Sequence, residues 1–169
     1  MEAAESFRAA MRALATSVVV VTSWLEDAPW GLTVSACCSV SASPPMLLIS
    51  VGAHTVTARS IRKHGVFGVN ILSEDQTELA ALGSRPQTAK FCAEYCVPGP
   101  RLPGSAPAVL GALAHFDCRV IREVDAADHT IFIGSVRRAT RTAGTRPLLW
   151  FDQSFRRLGD GDVAAGWEK

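Results

Sequence analysis

A surplus of charge of either sign is missing from this chain: its 169 residues carry 17 Lys and Arg against 16 Asp and Glu, a net charge of +1. Without a broad basic field there is no electrostatic footprint for DNA or RNA, and nucleic acid is not expected as a partner. Long apolar runs are also missing. Residues 18–21, four valines, fall far short of the ~20 needed to cross a bilayer as a helix, and Glu2 and Glu5 stand where a leader would be basic. The expectation is a cytoplasmic protein with no membrane partner. Cysteines number five, Cys37, Cys38, Cys92, Cys96 and Cys118, an odd and scattered set that does not read as a disulfide framework. Cys92 and Cys96 could seat a metal, but no second pair at ligand spacing accompanies them, so no metal is expected and both read as small buried apolar residues. A Gly-x-Gly-x-x-Gly fingerprint is absent, which excludes dinucleotide binding on a Rossmann crossover. No internal repeat is found.

The length suits one domain spanning 1–169, with its core at about 7–158. Phe7, Ala10, Met11 and Leu14 recur at helical spacing with Ser6 as a cap, which predicts an amphipathic first helix. A β-branched strand over 16–22 and a turn over 26–29 follow. Residues 55–63 open on a hydroxyl, close on Arg62-Lys63-His64 and stop at Gly65, satisfying both ends of a helix. Residues 67–72 alternate as a strand. Ser73-Glu74-Asp75-Gln76 reads as a capping box for a helix running through Leu79 and Leu82 to Gly83. Residues 85–111 are rich in Pro and Gly and preclude long elements, leaving Lys90-Phe91 as an ordered island. Strands are expected over 112–124 and 130–140, joined at 125–128, with short ones at 147–151 and 155–158. The tail over 159–169 reads as a frayed terminus. At least seven strands with two or three short helices point to a closed or nearly closed antiparallel barrel.

The segment Gly31-Leu32-Thr33-Val34-Ser35-Ala36-Cys37-Cys38-Ser39-Val40-Ser41 departs from ordinary strand composition. Small and hydroxylic residues stand where bulk is usual, leaving room for a flat ligand. After Pro44-Pro45-Met46-Leu47-Leu48-Ile49-Ser50-Val51 the helix start at Gly52-Ala53-His54-Thr55 offers amides and a dipole to an anion. Each feature has a plain alternative: residues 33–39 as a half-exposed edge strand, 52–57 as an ordinary capped helix, His129 as a solvated turn residue, Lys90 as a surface charge. The Arg137-Arg138 and Arg156-Arg157 pairs read as solubilising charges at strand edges.

Together, Gly31-Leu32-Thr33-Val34-Ser35, Ser43-Pro44-Pro45, Phe67-Gly68-Val69-Asn70-Ile71-Leu72, Asp128-His129-Thr130-Ile131-Phe132-Ile133-Gly134 and Pro147-Leu148-Leu149-Trp150-Phe151 resemble the flavin reductase-like family in order and spacing. The resemblance implies a mainly β fold, an FMN-binding split β-barrel of antiparallel, Greek-key type with a few short helices. It implies a homodimer with flavin near the subunit interface. It also implies hydride transfer from NADH or NADPH to FMN or FAD, with reduced flavin passed to a separate monooxygenase. A tightly bound flavoprotein reducing another acceptor, and a non-catalytic split-barrel flavin-binding module, are the alternatives.

By the same resemblance, Gly31, Leu32, Thr33, Val34, Ser35, Ala36, Cys37 and Ser39 lie along the isoalloxazine, and Ser50, Val51, Gly52, Ala53, His54, Thr55 and Thr57 hold the ribityl phosphate. Lys90 and Phe91 match a Lys-Phe pair near the flavin, His129 after Asp128 matches a histidine that positions the nicotinamide, and Trp150 borders the site. Arg8 or Arg12 could pair with a dinucleotide phosphate. Cys37 replaces a usual aromatic or apolar residue, Ala127 stands where glycine is common, and Trp150 and Phe155 replace tyrosines.

Overall fold

A computed structural model describes residues 2–99, 102–143 and 146–159. The chain runs α1 (Glu2–Met11), β1 (Thr16–Ser17), β2 (Val19–Leu25), β3 (Ala28–Val34), β4 (Cys37–Ala42), β5 (Pro45–Gly52), α2 (Val56–His64), β6 (Val66–Ile71) and α3 (Thr77–Ser84). A 3-10 turn (Ala93–Tyr95) follows, then β7 (Ala114–Ala126), β8 (His129–Arg141), β9 (Leu148–Phe151) and β10 (Ser154–Arg157). Seven strands form one antiparallel sheet in the order β3-β2-β6-β7-β8-β5-β4, and β1-β9-β10 form a second, smaller one. Within the larger sheet β5-β8-β7-β6 is a Greek key, with α2 in the connection between β5 and β6.

Its curvature follows from connectivity. The outermost strands, β3 and β4, are consecutive in the chain and joined by Ser35 and Ala36 alone. Three peptide steps span at most about 10 Å, so the sheet curls until its two edges nearly meet. They do not pair, and the barrel is split along that seam. The single strand expected over 31–41 is thus two edge strands with a break at its most open point. The expected strand over 16–22 also divides: β1 pairs with β9 while β2 enters the barrel. Val18 at the junction donates its amide to the Leu148 carbonyl at 2.8 Å.

β2 is covered on both faces, which explains its unbroken valines. Val19 and Val21 enter the barrel core with Leu47, Ile49, Val51, Phe67, Val69 and Phe132, closed at one end by Ala58 and Ile61 of α2. Val18 and Val20 face outward into a second core with Leu72, Leu79, Ala80, Cys92, Cys96, Val109 and Leu148. Each such aliphatic side chain is worth roughly 1.5–3 kcal/mol on full burial. Gly134 makes way for the Phe67 ring, since a Cβ there would lie 2.6 Å from it.

Of the helices, α2 starts and stops as expected, whereas α1 and α3 differ at their starts. α2 has Thr55 as N-cap, its hydroxyl accepting from the Ala58 amide at 3.1 Å, and ends on Gly65 in the left-handed region at φ 66°. α3 begins at Thr77, because Ser73 to Gln76 form a turn in which the Gln76 side chain accepts from the Ser73 amide at 3.0 Å. α1 starts at Glu2, with Ser6 inside it, and its apolar residues Phe7 and Met11, with Leu14 just beyond it, stay exposed.

The Pro-rich loop is pinned by a buried polar network. Wholly buried Asn70 donates to the Val20 carbonyl and Thr22 hydroxyl and accepts from the Val109 amide and His115 Nδ1, both at 2.8 Å. Thr22 in turn donates to the Pro107 carbonyl at 2.5 Å. Arg137 does more than solubilise an edge: it bonds Asp117 at 2.8 Å and also the Gly104 carbonyl, tying the loop to the sheet. Satisfying so many buried polar groups fixes the path of this loop. Residues 160–169, read as a frayed tail, lie outside the described residues. No helix among the described residues is long and apolar enough to cross a membrane.

Candidate active site

From Thr33 onward the wall of small residues is open. Thr33, Val34 and Ser35 line a cavity of about 180 Å³ with Ser17, Val18, Ser84, Trp150 and Phe155. Ser35 also borders a cavity of about 530 Å³ at the barrel mouth, where Cys37 and Ser39 lie, and one of about 330 Å³ between α1 and Trp150. Side chains alternate along β3, so Gly31 and Thr33 share the outer face, Gly31 buried against Cys92 and Val20, while Leu32 and Val34 pack against the barrel core, joined there by Cys37. The Thr33 hydroxyl is already spent on the Ala80 carbonyl of α3 at 2.8 Å. Burial and the neighbouring Cys38 push the Cys37 thiol up to about 11, so it stays protonated and unreactive near neutral pH.

Beside this wall, Lys90 and Phe91 are held as an extra rung on the edge of β3. The Gly31 amide donates to the Lys90 carbonyl at 2.9 Å, and the Cys92 amide to the Pro29 carbonyl at 3.1 Å. The Lys90 ammonium bonds the Arg85 carbonyl, and partial burial lowers its pKa from the ordinary value. Trp30, which no local sequence signal marks, links the pieces: its ring meets Phe91 edge-on at 5.1 Å and its indole N–H donates to buried Thr57 at 3.2 Å. The strand and the helix start are thereby locked together.

At that helix start, Gly52 pairs with His129 across β5 and β8, and the Ala53 amide donates to the Asp128 carbonyl at 2.9 Å. The turn over 52–55 and the β7–β8 hairpin therefore form one unit, with His54 and His129 exposed and Ser50 and Thr55 half-buried. His129 Nδ1 lies 2.8 Å from the Asp128 carboxylate. That bond, and the attraction of the imidazole, hold Asp128 below the usual carboxylate range. An ionised Asp128 accepts a hydrogen bond from Nδ1 and so orients the ring.

In sequence Arg62 is a helix-end charge; in the fold it anchors this unit. Its guanidinium meets Glu123 at 2.5 Å and Thr130 at 3.0 Å, donates to the Ala53 carbonyl at 3.3 Å, and lies 5.8 Å from the Phe132 ring centre. One planar fork thus ties α2, the 52–55 turn and the hairpin together. Arg12, in turn, is engaged by the side-chain oxygen of Gln153, which accepts from its Nη2 at 2.6 Å.

A flat cofactor with polar ring edges and an anionic tail fits these residues. Among the described residues, the outer side of β3 beyond Trp30 and the whole outer side of β4 have no strand partner. Thr16, which borders the 530 and 330 Å³ cavities, has its Oγ1 buried without a hydrogen-bond partner among the described residues, a polar atom that a bound ring edge would satisfy. The dipole of α2 favours an anion at residues 52–57. Among the described residues no group of three His, Cys, Asp or Glu could hold a metal ion.

A split antiparallel barrel with a small-residue seam beside a helix start defines a flavin-binding class of β protein. Residues 11–159 match the flavin reductase like domain, and the chain belongs to that family. It is 35% identical over 156 residues to a flavin reductase (NADH) of Kitasatospora aureofaciens, covering 90% of this chain and 81% of the relative. It is 34% identical over 152 residues to the reductase component of a 4-nitrophenol 4-monooxygenase/4-nitrocatechol 2-monooxygenase of Rhodococcus opacus, covering 88% and 78%. Among solved structures, the NADH:FAD oxidoreductase SgcE6 of Streptomyces globisporus C-1027, in complex with NAD and FAD fragments, superposes with a TM-score of 0.84 at 33% identity, covering 95% and 96%.

Proposed function

We propose that this protein is an NADH:flavin oxidoreductase that reduces FMN or FAD and releases the reduced flavin to a separate monooxygenase. The observation that carries this reading is the open wall at 33–39, bordered by cavities and continuous through Trp30 with the helix start at Thr57. Hydride passes from nicotinamide C4 to flavin N5, so the chemistry belongs to the two bound molecules and the protein supplies placement. Thr33, Val34, Ser35 and Trp150 border the ring. Residues 50–57 receive the phosphate, with Arg62 holding their turn in place, and Lys90 and Phe91 close the side of the wall.

His129, oriented by Asp128, positions the nicotinamide rather than moving a proton. His129→Ala should raise the KM for NADH about tenfold, equivalent to one charge-assisted hydrogen bond, with the flavin KM unchanged. Steady-state titrations of both substrates read this, and an unaltered NADH KM removes His129 from the site. The overall activity is tested with purified protein: colourless preparations that oxidise NADH only on addition of FMN or FAD support flavin as a diffusible substrate. A yellow preparation active without added flavin would instead identify a resident cofactor.

The protein acts as a homodimer in the cytoplasm. Phe7, Met11 and Leu14 are 65%, 46% and 53% exposed on and just beyond α1, and α1 borders the cavity beside Ser35. A second copy would cover these residues and complete the cleft, and sedimentation at the mass of one chain would refute it. All five cysteines are free thiols, in keeping with a reducing compartment.

A further inference from the structure

Cys92 and Cys96 bracket the 3-10 turn directly behind the wall. Their sulfurs are 3.8 Å apart, in contact and unbonded, and a disulfide requires them to close to about 2.05 Å. The two differ in surroundings. Cys96 borders a cavity outside the barrel, shared with Ala106 and His115, whereas Cys92 is 1% exposed and its sulfur sits against Gly31, 3.2 Å from where a Cβ would be. A hydrogen bond from Cys92 lowers the Cys96 thiol from its ordinary value, and the same bond raises Cys92. Both sulfurs are buried, Cys96 at 6% exposure, but Cys96 is the one beside open space, with Cys92 behind it.

We propose that Cys92 and Cys96 form a reversible, peroxide-driven disulfide that loosens the flavin wall. The Cys96 thiolate attacks one oxygen of hydrogen peroxide, the O–O bond breaks, and hydroxide leaves to give a sulfenic acid. The Cys92 sulfur then attacks the Cys96 sulfur, the S–O bond breaks and, with the Cys92 proton, water leaves. Two thiols are oxidised by two electrons and one peroxide is reduced to two waters. The oxidant is at hand on the functional reading above, because reduced flavin released into aerated water reduces dioxygen to peroxide. Closing the bridge shifts the Cys92 sulfur, which packs against Gly31. The Lys90 carbonyl accepts from the Gly31 amide and the Cys92 amide donates to the Pro29 carbonyl, on either side of the Trp30–Phe91 bridge, so the rung moves with Cys92.

The test treats the full chain with hydrogen peroxide, alkylates free thiols, and digests with trypsin. Cleavage after Lys90 and Arg101 places both cysteines in one peptide. The expected product is that peptide two hydrogens lighter and unalkylated, reverting with dithiothreitol. In Cys92→Ser, Cys96 should instead be trapped by dimedone as the sulfenic acid. Two alkylated thiols, or a sulfinic acid at Cys96 beside a free Cys92, would overturn the bridge. The oxidised protein should bind FMN about fivefold more weakly by fluorescence titration, at the low end of typical site-to-site coupling, with recovery on reduction. Unchanged FMN binding in the bridged protein would overturn the link to the wall. The mass measurement is independent of NADH turnover, so failure of the bridge and failure of the proposed activity are told apart.

Discussion

Ser35→Phe should abolish flavin-dependent NADH oxidation while leaving the melting temperature within a degree or two of the parent. Ser35 is exposed, lies in the two-residue link between β3 and β4, and belongs to no ladder, so a larger side chain disturbs no strand pairing. It is also the one residue that borders all three cavities around the seam. A phenyl ring there occupies the space an isoalloxazine needs. A ring that cannot enter forfeits its apolar contacts, worth roughly 3 kcal/mol for an aromatic of this size, so the flavin KM should rise at least about a hundredfold. Ser35→Ala separates filling from hydrogen bonding: one lost hydrogen bond of about 1 kcal/mol predicts a rise of less than tenfold. Titrations with FMN and FAD alongside thermal melts read both variants. A Ser35→Phe enzyme with the parent flavin KM would show that the ring lies elsewhere.

Much of this architecture is legible in the residues. The hydroxyl at Thr55 and the glycine at Gly65 bound α2 because local chemistry satisfies both of its ends. The pairing of β7 with β8 follows from two long alternating runs around a short turn. Where reading fails, the deciding interactions are distant in sequence. Nothing local separates Thr16 and Ser17 from the valines after them, since the split is made by β9, more than 130 residues away. The apolar spacing of α1 promised a buried face that this chain alone does not cover. Arg62 satisfies a helix-end preference in sequence, and only the hairpin at 123–130 turns it into a clamp. Trp30 sits beside the wall in the chain, but its bond to Thr57 exists only once α2 has folded onto β3. The wall residues were visible because what marks them is missing bulk, which composition records directly.

Gly83 shows the same limit and carries the largest expected effect on stability. In sequence it reads as a helix stop. In the structure it lies inside α3, buried against β3, where a Cβ would come 2.7 Å from the Thr33 amide nitrogen and 2.3 Å from the Thr33 hydroxyl. Two effects compete in Gly83→Ala. Helix propensity favours alanine by about 1 kcal/mol in a helix interior, less so here, one residue from the end. Against it stands overpacking, typically 1–3 kcal/mol and at the upper end when the obstacle is backbone that cannot rotate away. The clash also forces apart the Thr33–Ala80 hydrogen bond, a further loss of about 1 kcal/mol. The net expectation is a destabilisation of about 2–3 kcal/mol, measured by denaturant unfolding. Because the displaced strand is the flavin wall, the flavin KM should rise with it. Ala81→Gly, on the same helix, provides the contrast: it loses propensity alone, about 1 kcal/mol, and should leave flavin binding untouched. If Gly83→Ala proves as stable as the parent, α3 does not set the position of β3, and the wall is held by the barrel alone.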